Sequence, residues 1–352
     1  MKKISQFLDG VRSKCSALWS KLYVRLIVLA LLFIFPHVVP NQYVVYIGVI
    51  VMYLGIEILG YNFITGYGNT FTMGQAAFCG LGAYFSVYIS MHTSIPVTVC
   101  IILGGFFAAL CGLIISLPTQ KLRITFLSLA TMGLNQLLYI IFKNAEPLTG
   151  GTYGTKDIPR PVLFGSAMSN NWYFDYTLIF LILSIVVIER ILMSKSGRVV
   201  LALAVDPTVA SAMGVDIRKY RTLMFSIAAF FGGIGGALQA HFINYVHPDT
   251  YKPDETMMLI AMMALGGMAS IAGSIVGPGI FTVISLYFAQ LYDYRTIIGG
   301  LLLIFTMLYR PSGLMGGKRL PLRKSSLAFI QNREQRSNVP PATAQQSQQQ
   351  QV

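Results

Sequence analysis

Apolar runs of about eighteen residues or more recur along this 352-residue chain, and each is long enough to cross a hydrocarbon core of about 30 Å. That repetition constrains the fold more than any single motif. In a hydrocarbon core every backbone amide must find its partner within the protein, so such runs are read as helices. Composition agrees. Charged residues make up 11% of the chain and hydrophobic residues 55%, whereas soluble domains carry roughly 25% charge. The expected fold is an all-α polytopic membrane protein of about 8–10 transmembrane helices, two of its segments broken or re-entrant and rich in glycine. The division reads as a basic lead (1–21), a transmembrane domain (22–317) with a cytoplasmic loop at 194–222, and a polar, low-complexity tail (318–352) with the composition of disorder.

The net charge of +13 raises a nucleic-acid reading, which its distribution argues against. Six Lys/Arg fall in residues 1–25, five between Ser194 and Thr222, and six from Lys318 onward. The segments that alternation puts on the other side hold Lys143, Lys156, Arg160, Lys252 and Arg295 against seven acids. This is the positive-inside bias, so the basic side, with both termini, is expected in the cytoplasm. Residues 22–39 follow a basic stretch without a small-x-small cleavage site and are read as an uncleaved first span.

Further spans are expected near 43–60, up to 92, 95–117, 124–142, 177–193 and 223–243, with a last apolar run to about 308. Glu57 is an acid inside an apolar run, and two placements are open: facing protein or a wet cavity, or at the cytoplasmic end of its helix. Residues 143–176 are expected as a long external loop, with Trp172, Tyr173, Phe174 and Tyr176 as an interfacial belt. A second external loop runs from His247 to Glu255. His241, His247, Asp249, Asp254 and Glu255 share no metal-ligand spacing and read as an ordinary solvated region. The four cysteines, Cys15, Cys79, Cys100 and Cys111, likewise show no such spacing. No catalytic, cofactor or metal residues are assigned.

Two stretches interrupt the apolar pattern. Gly60 to Gly82, GYNFITGYGNTFTMGQAAFCGLG, mixes glycines with Asn62, Thr65, Asn69, Thr70, Thr72 and Gln75. Met262 to Gly279, MMALGGMASIAGSIVGPG, echoes it in the second half. Irregular backbone at membrane depth needs protein or a cavity around it. A pair of interrupted segments, one in each half, points to a transport site; close helix packing through small residues is the other reading. The pathway residues so singled out are Glu57, Gly66, Gly68, Thr72, Gly74, Gln75, Gly266, Gly267, Gly273 and Gly277.

Between two long apolar blocks lies a polar island, Gly197 to Tyr220. Asp206 suits an N-cap, Pro207 the first helical position and Gly214 a left-handed stop after Met213. A helix of about two turns is unstable alone in water. Val209, Ala210, Ala212 and Met213 give it an apolar side. It rests on its own membrane domain, or it docks into a partner and passes force to the flanking spans. The chain has no GxxxxGK[ST] phosphate loop, HExxH, paired CxxC or GxSxG. Energy for active transport would therefore come from another subunit.

Five pieces in order carry a resemblance: TGYGNTFTMGQAAFCGLGAY at 65–84, the Ala210–Gly214 AxxxG, GGIGGALQAHFINYVHPDTY at 232–251, LGGMASIAGSIVGP at 265–278 and RPSGLMG at 310–316. With them the chain resembles the LivM-type permease subunits of branched-chain amino acid ABC transporters, in the LivH/LivM permease family. The resemblance implies an inner-membrane permease importing branched-chain, hydrophobic amino acids. It also implies a second, LivH-like permease, two ABC ATPase subunits and an extracytoplasmic substrate-binding protein as partners. By the same resemblance Asp206, Pro207, Val209, Ala210, Met213 and Gly214 meet the ATPase. At Leu201, Ala204, Val205 and Pro207 the chain departs from the LivM pattern, and its AxxxDP at Ala202–Pro207 is closer to LivH-type subunits. Urea and short-chain amide permeases share most of these motifs. Outside the ABC class, a self-contained channel or secondary transporter predicts transport without an ATPase. A membrane-embedded enzyme predicts a cluster of ionisable residues at one depth.

Overall fold

A computed structural model describes residues 32–119, 122, 124–163, 166–287, 300, 304, 308 and 313–316. The basic lead, most of the first span, the turn cations Lys121 and Arg123, most of the last apolar run and the tail lie outside the described residues. Residues 32–38 are helical. Helix α1, Gln42–Asn62, follows Pro40 and is capped by Asn41, whose side chain accepts from Tyr43 N at 3.0 Å. It runs on into a wider π-helical turn, Phe63–Tyr67. An irregular segment at 68–74 leads into α2, Gln75–His92. Then come α3 (Val97–Thr119), α4 (Ile124–Asn144) and α5 (Asn170–Met193). Two short helices, α6 (Lys195–Val205) and α7 (Pro207–Ala212), precede the long α8 (Ile217–Ile243). The last described helices are α9 (Pro253–Gly266) and α10 (Gly273–Tyr287).

Among the described residues, five helices are long and apolar enough to cross a membrane: α1 with its π turn, α3, α4, α5 and α8. Helix α8 is the centre. The most apolar window of α8 is 72% buried, against 22% for α4. Glycine explains how neighbours come so close to it. A Cβ on Gly82 of α2 would lie 2.3 Å from Gly233 Cα, and one on Gly236 would lie 2.2 Å from Cys79 O. These are backbone-to-backbone approaches that no larger residue permits. By contrast α3 and α4 present broad apolar faces outward, with Phe106, Leu110, Phe126 and Leu129 exposed.

Three expectations change. First, α5 begins at Asn170, so Trp172–Tyr176 are helical. Tyr173 and Phe174 face the interior, and the Tyr173 hydroxyl donates to Leu238 O at 2.8 Å. Tyr173 packs against Phe242 at the end of α8 (5.0 Å) and Phe174 against Phe35 (5.9 Å), while Trp172 stays half-exposed beside His37, so the four do not face outward together as a belt. Second, the 247–255 loop is partly helical: Pro253 opens α9, with Asp254 and Glu255 in its first turn. Third, the island holds two helices. Gly197 hides α6 from a sequence reading, yet its Cβ would fall 2.3 Å from Ile191 O. That glycine is there for the close return of α6 onto the end of α5.

The connection between α4 and α5 is tied down. Its strand Thr155–Lys156 pairs antiparallel with Tyr245–Val246 after α8. Arg160 donates to Asn244 Oδ1 (2.8 Å), Asn170 Oδ1 (3.1 Å) and Phe242 O (3.0 Å). His241, buried in α8, donates from Nδ1 to Pro159 O at 2.7 Å, and its Nε2 accepts from Ser86 Oγ at 2.8 Å.

Candidate functional site

The two interrupted stretches, about 200 residues apart in sequence, meet at one side chain. Asn62 is the last residue of α1 and is buried. Its Nδ2 donates to Ser270 O at 3.0 Å and to Ser274 Oγ at 2.9 Å. Its Oδ1 accepts from Ala269 N at 2.8 Å. Ala269 sits at φ +55, an unusual conformation for a residue with a Cβ. Gly66 comes closest: a Cβ there would fall 1.9 Å from Asn62 Oδ1 and 2.5 Å from Ala269 N.

The irregular segment after the π turn has no helix partner for several amides, and other helices supply them. Thr131 Oγ1 of α4 accepts from Met73 N at 2.9 Å. Thr256 Oγ1 of α9 accepts from Ala76 N at 3.1 Å and from Asn135 Nδ2 at 3.0 Å. Tyr61 donates to Thr72 O. Thr70 N returns to Ile64 O at 3.1 Å, and Gly68 N to Phe63 O at 3.1 Å. The amides of Met73 and Ala76 are thereby paired, as burial requires.

The second break is built from backbone packed on backbone. A Cβ on Gly266 would lie 1.9 Å from Gly273 O, and one on Gly277 2.1 Å from Met262 O. Gly267 has φ +122, where L side chains are strained. Residues 313–316, from the RPSGLMG motif, close the end of α9: Leu314 N donates to Leu265 O (3.0 Å) and Met315 N to Gly266 O (2.8 Å).

The singled-out residues therefore divide. Gly66, Gly68, Thr72, Gly74 and Gln75 lie in or beside the first break, and Gly266, Gly267, Gly273 and Gly277 in or beside the second. Asn62 joins the two. Glu57 lies one to two turns earlier in α1, buried, facing protein at Gly235 of α8, whose Cβ would meet Glu57 Cγ at 2.3 Å. Gln75 Nε2 donates to Glu57 O (3.3 Å) and to Ala228 O (3.2 Å). Thr131, Asn135, Thr256, Ser270 and Ser274 escaped the sequence reading. For the first two the signal was present: a polar pair at i and i+4 in an apolar helix shares one face.

On the island, Asp206 Oδ1 accepts from Thr208 N (2.8 Å) and Val209 N (3.2 Å), and Pro207 opens α7. The helix stops in a Schellman pattern: Val215 N donates to Ala210 O (3.1 Å), Gly214 N to Ser211 O (2.9 Å), and Gly214 has φ +83. Ala210 is buried, while Val209 and Met213 are 60% and 81% exposed. Two large apolar side chains on one capped turn thus project from the protein. At the other end of α6, Asn69 of the first break donates from Nδ2 to Ala204 O at 3.1 Å.

This architecture defines a class: a multi-pass, all-α membrane protein whose interior is interrupted by two polar, glycine-rich breaks in contact. Residues 43–307 match the family model described as branched-chain amino acid transport system / permease component. The chain belongs to that family. It is 28% identical over 289 residues to the high-affinity branched-chain amino acid transport system permease protein LivM of Escherichia coli, covering 75% of this chain and 68% of that one. It is 27% identical over 179 residues to LivH of the same organism, covering 47% and 58%. It is also 24% identical over 247 residues to the xylose/arabinose import permease protein XylH of Sulfolobus acidocaldarius, covering 65% of each. No solved structure matches the chain.

Proposed function

We propose that this chain is a permease subunit of an ABC importer that carries branched-chain amino acids across the inner membrane. It pairs with a LivH-like second permease. Two ATPase subunits bind the face bearing Asp206, Pro207, Val209, Ala210, Met213 and Gly214, and an extracytoplasmic binding protein delivers substrate opposite. The observation that carries this reading is the junction of the two breaks at Asn62. Polar, irregular backbone inside a membrane protein is the usual setting of a transport site. Its neighbours Gly66, Gly68, Thr72, Gly74 and Gln75 form the part that rearranges, and Gly266, Gly267, Gly273 and Gly277 the wall opposite, with Glu57 behind. The exposed Val209 and Met213 on a rigidly capped helix suit insertion into an ATPase groove. ATP-driven closure would push α7 and tilt α5 and α8 on either side. The likeness to LivM favours a branched-chain amino acid over the pentoses in the name of XylH.

The test is purification of the chain from its native membrane in mild detergent. Recovery of a second permease and a Walker-A ATPase is expected, and reconstitution with both should give ATP-dependent leucine uptake. Recovery of the chain alone, active for uptake in liposomes without ATP, overturns the reading.

A further inference from the structure

Residues 195–212 and the first break are joined by a polar contact that neither motif calls for by itself. Helix α6 ends at Val205, since Asp206 N still donates back to Ala202 O at 3.2 Å. Beyond that point the helix runs out of donors. Thr208 N and Val209 N, which a continuing helix would offer to Ala204 O and Val205 O, are both taken by Asp206 Oδ1. A helix end leaves carbonyls that must be satisfied from outside. At Ala204 the partner comes from the membrane domain: Asn69 Nδ2, at 3.1 Å.

Asn69 is built for that reach. Its backbone lies at φ +48, a region Asn and Gly enter with little penalty. It lies two residues beyond the π turn, after Gly68. The chain beyond it is bolted to α4 and α9 through Thr131 and Thr256, and to α1 through Tyr61. Around the contact is a pocket lined by Gly68, Asn69 and Thr70 on one side, Leu203 to Val205 and Pro207 on another, and Ile217, Arg221 and Met224 of α8 on the third. The two parts are therefore spanned across a gap, where one of them can shift against the other.

We propose that Asn69 is a positioning residue for transport: its side chain links the end of α6 to the first break, so that displacement of α7 moves the break. The inference rests on the importer reading above. It identifies the point where force from the 206–214 helix enters the membrane interior, and it predicts uncoupling, not loss of assembly, when that bond is removed.

The test uses the whole transporter, reconstituted with both permeases, the ATPases and the binding protein. Asn69→Gly keeps the left-handed backbone and deletes the side chain. Asn69→Asp keeps the shape and replaces the donor by an acceptor facing Ala204 O. In both, assembly and ATP hydrolysis should stay within about twofold of the parent. Substrate moved per ATP should fall by about two- to tenfold, the range expected for one net hydrogen bond. Amide hydrogen exchange supplies a second readout, one that a merely structural role would leave alone. ATP with vanadate should change exchange at 206–214 and at 66–75 in the parent; in the variants the response at 206–214 should persist and that at 66–75 should vanish. If the response at 66–75 persists, or transport and hydrolysis fall in equal proportion, the link is not the route. If the parent chain brings no ATPase with it, the importer reading fails and this inference falls with it.

Discussion

Replacing Asn62 by Leu keeps the branching of the side chain but not its volume, and removes every bond that Asn62 makes at the junction of the two breaks. The cost follows from counting what each former partner keeps. Ser270 O retains Ser274 N at 3.1 Å and Ser274 Oγ at 3.2 Å. Ser274 Oγ retains that same bond. Ala269 N loses its acceptor, Asn62 Oδ1, and Ala269 is already held at φ +55. One buried unpaired amide costs about 1–3 kcal/mol. The other two bonds, at the average of about 0.6 kcal/mol measured between membrane helices, add less because their partners are rehoused. The expected total is about 2–3 kcal/mol, a fall in melting temperature of several degrees at about 2–4 °C per kcal/mol. Ser274→Ala should cost well under half of that, since Asn62 Nδ2 still reaches Ser270 O. Asn62→Asp keeps the acceptor for Ala269 N but buries a carboxylate beside Ser270 O, so it should be at least as harmful as Leu. The assay is thermal unfolding of the detergent-solubilised chain, followed by light scattering and tryptophan fluorescence. Equal losses for Asn62→Leu and Ser274→Ala, or a neutral Asn62→Leu, would refute the idea that the Ala269 amide dominates this junction.

Other outcomes follow from the same packing. Gly82→Ala places a Cβ 2.3 Å from Gly233 Cα and should cost at least about 1–3 kcal/mol in thermal unfolding, whereas Gly133→Ala, with nothing within 4 Å, should leave the midpoint nearly unchanged. Gly214→Val meets open space but is strained at φ +83; insertion and permease pairing should survive while ATP-coupled uptake is lost, and normal uptake would remove 206–214 from the coupling role. Asp206→Ala should expose the Thr208 and Val209 amides and cost about 1 kcal/mol locally, read as faster amide exchange across 207–212. Asp249 and Lys252 pair at 3.2 Å, with Tyr139 donating to Asp249 at 2.8 Å. Burial opposes both shifts, but the bonds from Tyr139 and Lys252 with the nearby charge together outweigh it and hold the carboxylate below its ordinary range, and Asp249 likewise holds the ammonium above its own. The pair's contribution is thus full from the ordinary carboxylate range up to the ordinary lysine range. It is lost as pH falls through the native Asp249 value or rises through the native Lys252 value. Asp249→Asn should flatten both limbs of the melting-temperature profile.

What was legible in the chain was its interruptions. Six glycines and six amide or hydroxyl side chains between Gly60 and Gly82 exclude a regular lipid-facing helix, and the structure breaks α1 there. The caps of α7 were equally legible because capping is local: Asp206, Pro207 and Gly214 act within one turn of where they stand. The partners of the break were not. Thr131 and Asn135 interrupt an apolar run in α4, the least buried of the five long helices, and Thr256 follows two acids that read as a loop. Only their three-dimensional placement against 73–76 gives them a role. The aromatics at 172–176 misled for a related reason. An aromatic run beside polar residues fits a membrane surface as well as the packed face of α5, and the choice between them is made by α8, a different part of the chain.

The way the first break is held also limits how it can move. A helix holds itself together through its own ladder and can tilt as a rod. The segment at 68–76 instead takes its partners from five other helices: Tyr61 of α1, Thr131 of α4, Ala204 of α6, Ala228 of α8 and Thr256 of α9. It must either carry α4 and α9 with it or exchange those bonds for others. Exchange is the cheaper course, at roughly 0.6 kcal/mol for an average bond between membrane helices, provided each amide finds a new acceptor at once. The hydroxyl left behind is not stranded, because Thr131 Oγ1 donates to Leu127 O (2.9 Å) or Ser128 O (3.0 Å) whether or not it accepts from Met73 N. The second break is packed differently. Gly266, Gly273 and Gly277 touch through backbone atoms, and residues 313–316 close the helix end with backbone bonds. The physical expectation is an asymmetric pair. The first break exchanges partners, the second acts as the fixed wall against which it moves, and Asn62 is the pivot between them.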